Sequence, residues 1–123
     1  MSDEPRDDRP RRHILIADDN VDAAQSLALL CRFWGHVVRV ANDGLEAIAI
    51  GERFKPAIAI LDINMPGLNG YEVACLLREK YGTSITLIAL TATTDQQRTY
   101  AAGFDRHFVK PADLSDLQNA MCE

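Results

Sequence analysis

The stretch IAILDINMPGLNG, from Ile58 to Gly70, runs an apolar segment into an acid and then into a Met-Pro-Gly turn. An unbroken apolar run of this length, without polar alternation, reads as a strand covered on both faces. Asp62 then poses a question, because a lone buried carboxylate is costly unless it is solvated, paired or in use. Working outward, AIAIL (57–61) has four companions of the same kind: HILIA (13–17), HVVRVA (36–41), ITLIAL (85–90) and RHFV (106–109). Between them lie segments whose apolar residues recur at helical spacing. One stripe joins Val21, Ala24, Leu27, Ala28, Cys31 and Trp34; a second joins Leu45, Ile48 and Ala49; a third joins Val73, Leu76, Leu77 and Tyr81. Leu114, Leu117 and Met121 form a short last stripe, and a weaker helix is expected from a Thr94 N-cap, followed by Asp95, to about Ala102, where Gly103 ends it. These stripes read as core. Five strands in strict alternation with five helices predict an α/β fold: a doubly wound parallel sheet with right-handed crossovers and helices on both faces.

A chain of 123 residues has room for one domain with its own core. Its apolar fraction of 47% and charged fraction of 25% are ordinary for a globular protein. A net charge of −5 speaks against direct, nonspecific nucleic-acid binding. No apolar run approaches the roughly 20 residues that cross a bilayer, and the N-terminus is charged, so no membrane association and a cytoplasmic location are expected. Residues 1–12, MSDEPRDDRPRR, balance four acids against four arginines and are expected to be a disordered charged tail ahead of a domain over 13–123. Cys31, Cys75 and Cys122 are odd in number and widely spaced, which suits core-filling thiols better than a metal or disulfide framework. His13 and His36 read as structural residues opening strands. The last helix is short, so the chain either ends there or continues a longer protein.

The remaining polar residues follow the strands. Asp18 and Asp19 come after the first, Asp62 after the third, Thr91 after the fourth and Lys110 after the fifth. In an open parallel sheet these carboxyl ends share one edge, where ligands bind at the point of reversal in strand order. With the flavodoxin-like order 2-1-3-4-5, a (βα)5 arrangement, all five side chains converge. Three carboxylates there repel one another: two unit charges about 4 Å apart interact by roughly 4 kcal/mol at an effective dielectric near 20. Mg²⁺ relieves this, since it prefers oxygen ligands and few carboxylates, whereas zinc and copper lack Cys or His at ligand spacing. An Asp beside a hard cation and a lysine can attack phosphorus and become an aspartyl phosphate, with the nearby Thr91 hydroxyl free to donate to the new oxygens. The ordinary alternative is a solvated acidic edge with no chemistry.

These residues carry a resemblance. From His13 to about Cys122 the chain resembles the receiver domain of bacterial two-component response regulators, through ADDN with Asp18 and Asp19, LDINMPGLNG with Asp62 and Gly70, LTA with Thr91, and VKP with Lys110 and Pro111. The resemblance implies that Asp62 takes a phosphoryl group from the phosphohistidine of a sensor histidine kinase or a histidine phosphotransfer protein. Asp19, Asp62 and the backbone carbonyl of Asn64 would bind Mg²⁺ directly, and Asp18 through water. Lys110 would contact the phosphoryl group, and its bond to Pro111 would be cis. His107, three residues before the lysine, would be a switch that follows Thr91 and alters the surface of the fourth helix, fifth strand and fifth helix; its plain reading is a half-exposed strand residue. Asn64 and Thr93 occupy positions that influence the lifetime of the phosphoryl group. GFDRHFVKP and DDNVDAAQSLALL look most like receivers of hybrid kinases or stand-alone regulators, acting as a monomer or weak dimer on a downstream protein. Such a protein is no enzyme towards an external substrate. Two rivals differ in class: a haloacid-dehalogenase-type phosphatase, which normally needs an acid where Asn64 stands, and a phosphate-independent docking module, which would not need the full set of five.

Overall fold

The protein is described by a computed structural model covering residues 11–121. The expected tail, apart from Arg11 and Arg12, lies outside the described residues, as do Cys122 and Glu123. The chain runs β1 (His13–Ala17), α1 (Val21–Phe33), β2 (Val37–Ala41), α2 (Gly44–Phe54), β3 (Ile58–Leu61), α3 (Gly70–Tyr81), β4 (Thr86–Thr91), α4 (Gln96–Ala101), β5 (Arg106–Val109) and α5 (Leu114–Met121), with a single 3₁₀ turn at Gly82–Ser84. The strands form one parallel sheet in the order β2-β1-β3-β4-β5, as expected.

Both faces of the sheet are covered, so its inner strands can be apolar throughout. Leu15, Ala17, Ala59, Leu61, Leu87 and Ala89 point to the face shared with Ala47 of α2 and Val73, Ala74 and Leu77 of α3. Their neighbours Ile14, Ile16, Ile58, Ile60 and Ile88 point the other way, onto Ala24, Ala28 and Cys31 of α1 and Leu117 and Met121 of α5. The period of two expected of any strand is therefore present, but hidden because both sets are apolar.

Several helix faces differ from the expected stripes. In α2 the buried residues are Gly44, Ala47 and Gly51, while Leu45 and Ala49 are exposed. The cause is close approach: a Cβ on Gly44 would lie 2.7 Å from Leu68 Cβ, so small residues make this contact and Leu45 turns outward. Val21, Leu76 and Leu114 are also exposed. Cys31 is buried beside Met121, and burial pushes its thiol up to about 12 against the lowering charge of Arg32, in keeping with an inert core thiol. Cys75 corrects the core expectation: it is exposed on α3. The fourth helix starts one residue later than expected, because Asp95 rather than Thr94 accepts from the Arg98 amide at 3.1 Å. His13 does open β1, whereas His36 precedes β2 and is buried, with Nδ1 accepting from the Arg12 amide at 3.1 Å.

Candidate functional site

Asp18, Asp19, Asp62, Thr91 and Lys110 stand just beyond or at the end of a strand, whereas His107 lies within β5. Asp18 follows β1, and its amide donates to Ala41 O of β2 at 3.1 Å. Asp62 follows β3, and its amide donates to Ala17 O of β1 at 2.9 Å. These two bonds extend the sheet's ladder into the loops and bring the carboxylates side by side. The loop beyond Asp62 closes on itself, with the Met65 and Gly70 amides both donating to Ile63 O. An Asn69 cap and its reciprocal bond from Glu72 start α3 immediately afterwards. Gly70 is required there: a Cβ would strike Asp62 O and lie 2.7 Å from Ile63 Cα.

Carboxylate oxygens of Asp18, Asp19 and Asp62 lie within 4.8 Å of one another. Asp18 and Asp62 are only 6% and 9% exposed, whereas Asp19 is open to solvent. Lys110 enters from the end of β5, whose register is fixed by its amide donating to Thr91 O at 2.9 Å. Its Nζ donates to Asp18 Oδ2 at 2.8 Å and, longer, to Asp62 Oδ2 at 3.5 Å. The Lys110–Pro111 peptide is cis, as the resemblance implied. Asp18 Oδ1 also accepts from the Asn20 amide at 2.9 Å, and Asp62 Oδ1 from the Asn64 amide at 3.4 Å. Asp62 is thus the less satisfied of the two buried acids.

Electrostatics follow from this geometry. Burial raises the Asp62 carboxyl above its ordinary value, as does the Asp18 charge, against the lowering effects of Lys110, the Asn64 amide and the Thr91 hydroxyl. Burial pulls Lys110 down, but the Asp18 bond and the two carboxylate charges outweigh it, and the ammonium is held above its ordinary value. The donor set is all oxygen and carries excess negative charge, which fits a hard divalent cation such as Mg²⁺. A cavity of about 50 Å³ lies beneath α1, walled mostly by apolar side chains such as Ile16, Leu27, Ile60 and Leu90, and reaches Asp18, Asp62 and Lys110 on one side.

Thr91 is fully buried, and its Oγ1 accepts from the Thr93 amide at 3.4 Å. His107 is half-buried and engages both ring nitrogens: Nε2 donates to Thr93 O at 2.9 Å and Nδ1 lies 2.9 Å from Thr99 Oγ1. It bridges the β4–α4 loop and α4, apart from the acidic cluster. Sequence reasoning missed Thr99, a buried residue that also donates to Asp95 O at 3.0 Å. It missed Asn20 as well, which steadies Asp18 while capping α1. An Asn before a helical stripe is a cap signal; nothing in the pattern marks Thr99.

Comparison with known proteins gives a consistent picture. The family model described as "Response regulator receiver domain" matches residues 14–122. The DNA-binding response regulator MtrA of Mycobacterium tuberculosis is 32% identical over 111 residues, which is 89% of this chain and 49% of MtrA. The chain therefore spans about half the length of the MtrA proteins it matches. Among solved structures, the response regulator TrrA of Thermotoga maritima, in complex with Mg²⁺-BeF, is 29% identical with a TM-score of 0.80, covering 89% of this chain and 95% of that one. The fold is also shared with the receiver domain of Ssk1, solved with the histidine phosphotransfer protein Ypd1 of Saccharomyces cerevisiae, at 24% identity and a TM-score of 0.83, covering 92% of this chain and 88% of that one.

Proposed function

Because the chain belongs to the response regulator receiver domain family, we propose that it is a phosphorylation-controlled switch whose acceptor is Asp62. The observation that carries this reading is the meeting of Asp18, Asp19 and Asp62 within 4.8 Å, with Lys110 Nζ bridging Asp18 and Asp62. The phosphodonor is a phosphohistidine on a sensor kinase or a phosphotransfer protein, the kind of partner named in the Ypd1–Ssk1 structure. An Asp62 carboxylate oxygen attacks phosphorus, the phosphorus–nitrogen bond breaks, and the imidazole leaves with its electron pair. Lys110, already bridging Asp18 and Asp62, would bind the transferred oxygens and hold Asp62 in line.

Asp19, Asp62 and the Asn64 carbonyl would hold Mg²⁺, with Asp18 acting through water. When bound, the cation offsets the charge of the acids and of the incoming phosphoryl oxygens. Phosphorylation adds negative charge and acceptor oxygens beside the Thr91 hydroxyl. A shift of Thr91 would strain the Thr93 amide contact and, through Thr93 O, the His107 bridge to α4. The altered α4–β5–α5 surface would then be read by a downstream protein. We place this switch in the cytoplasm, with hybrid-kinase or stand-alone context; among the described residues no helix is long and apolar enough to cross a membrane.

The test is exposure of the full chain to acetyl phosphate with and without Mg²⁺, read by intact mass. One phosphate should appear only with Mg²⁺ and be lost in Asp62→Asn. A folded protein that stays unmodified with Mg²⁺ present would leave only a docking role, and steady turnover of an external phosphoester would indicate a phosphatase.

A further inference from the structure

The chain carries net charge −5, yet one groove reverses that sign. An open cleft of about 810 Å³ follows the free edge of β2, lined by Arg32 from α1, Arg39 from β2 itself and Arg53 from α2, with His13 and Phe54 along one wall. Among the described residues no acidic one lines it. Arg32 and Arg53 stand in the last turns of their helices, where the macrodipole accounts for a cation. Arg39 has no such excuse. Its guanidinium lies 5.5 Å from the centre of the Phe54 ring, which His13 stacks at 4.6 Å, so the aromatic pair holds a strand cation at the mouth of the groove. Arg53 has no ion-pair partner among the described residues.

The backbone of the edge supplies the second half of the site. Val37 N donates to Arg12 O, and Ala41 O accepts from Asp18 N, so the odd-numbered residues of β2 face β1. Val38 and Val40 therefore turn their amides and carbonyls outward, and β1 is the neighbour of β2 in the sheet. Arg32 guards this edge, with Nη2 donating to Val38 O at 3.1 Å. A charged side chain over an edge strand discourages pairing with any passing strand. A carboxylate on the incoming segment changes the balance, because a guanidinium prefers a carboxylate to a neutral carbonyl. Drawing Arg32 away would release Val38 O for pairing, so the guard selects for acidic segments.

We infer that the β2 edge is a docking site for an extended acidic segment of a partner protein, which adds as a strand beside Val38 and Val40 and places carboxylates against Arg32, Arg39 and Arg53. The groove runs along the side of the sheet, from His13 at the start of β1 to Val40 near the end of β2, and neither Asp18, Asp62 nor Lys110 lines it. Docking there leaves Asp62 open, so a partner could be held while phosphoryl transfer proceeds.

The probe is a blocked eight-residue peptide alternating Glu and Val, titrated into the full isotope-labelled chain and followed by amide NMR. The expected result is a shift of the Val38 and Val40 amides, binding weakened at least tenfold by Arg39→Glu with Arg53→Glu, and several-fold weakening as salt is raised. The milder Arg53→Gln, with circular dichroism to check the fold, should weaken binding less. Labelling by acetyl phosphate should be unchanged in these variants, which separates this site from the Asp62 reading. The inference is overturned if the matching Lys-Val peptide binds equally well or if the shifts centre elsewhere. It is also overturned if binding needs removal of residues 1–10, which would make the chain's own Asp3, Glu4, Asp7 and Asp8 the occupant, or if the edge is covered by a second copy, seen as a dimer that Arg39→Glu dissociates.

Discussion

The two halves of the sheet are built differently. β1 and β3, which present Asp18 and Asp62, are buried along almost their whole length and lie beneath α1 and α3, helices of 13 and 12 residues. β5 has no fully buried residue, and the α4 helix before it has only six residues. The acidic half must hold like charges at short range, and close packing on both faces resists their separation. Beyond the buried Thr91, the segment from the β4–α4 loop through α4 and β5 is tied instead by a few hydrogen bonds: Thr93 N to Thr91 Oγ1, His107 to Thr93 O and Thr99 Oγ1, and Thr99 to Asp95 O. Thinly covered elements open locally at lower cost than a packed core. The difference assigns anchoring to one half and yielding to the other.

The largest expected effect tests this contrast directly. Leu61→Ala in β3 removes a fully buried side chain from the α2–α3 face and should cost about 4 kcal/mol. Phe108→Ala in β5 removes a larger side chain that is only half-buried, and should cost about 2 kcal/mol despite its size. Urea unfolding of the two variants gives the comparison. Equal losses would mean that β5 is anchored as firmly as β3, and the division into two halves would fail.

That same contrast governs what could be read from the sequence. β1 and β5 were legible to the residue: His13–Ala17 is an apolar run after His13, and Arg106–Val109, though it opens on Arg and His, is set off by Gly103 before it and Lys110–Pro111 after it. Asp18, Asp19, Asp62, Thr91 and Lys110 were legible because a parallel sheet places all its carboxyl ends on one rim, so order along the chain becomes proximity in space. The α2 face was not, because Gly44, Ala47 and Gly51 make their contact by being small, and a hydropathy stripe selects Leu45 instead. Nor was the His107–Thr99 bridge, since a polar pair eight residues apart across a helix and a strand leaves no periodic mark. Packing by absence of a side chain and polar contacts in the yielding half both fall outside what periodicity records.

A smaller effect is expected from loosening the yielding half alone. Thr99→Val keeps the shape but removes the hydroxyl that His107 Nδ1 and Asp95 O share. The loss should be about 1 to 2 kcal/mol, the scale of two partly buried hydrogen bonds left unmade. Hydrogen exchange should quicken in Gln96–Ala101 while the amides of Ile58–Leu61 keep their protection. Faster exchange in β3 as well would show that the bridge supports the whole sheet.

The smallest effect comes from the charge held by the anchoring half. Asp62 binds its proton more tightly folded than unfolded, chiefly through burial and then through Asp18, against Lys110, the Asn64 amide and Thr91. A carboxyl raised in this way stabilises the fold below the ordinary carboxyl range and loses that contribution as pH climbs through the raised value. At neutral pH the ionised side chain therefore works against folding. Lys110 is also raised, so its favourable contribution persists through neutral pH and fades only in strong alkali, which leaves the acid to set the behaviour near neutrality. Asp62→Asn should accordingly melt a few degrees higher than the parent at pH 7 without metal, and the gap should close as the pH falls through the raised value. Lys110 keeps Asp18 as a partner at 2.8 Å in that variant, so its own pairing is not forfeited. If Mg²⁺ occupies the cluster, adding it should stabilise the parent more than the variant and narrow the gap at pH 7. A variant less stable than the parent at pH 7 would mean that the Lys110 contact outweighs burial, and that the packed half holds Asp62 at rest.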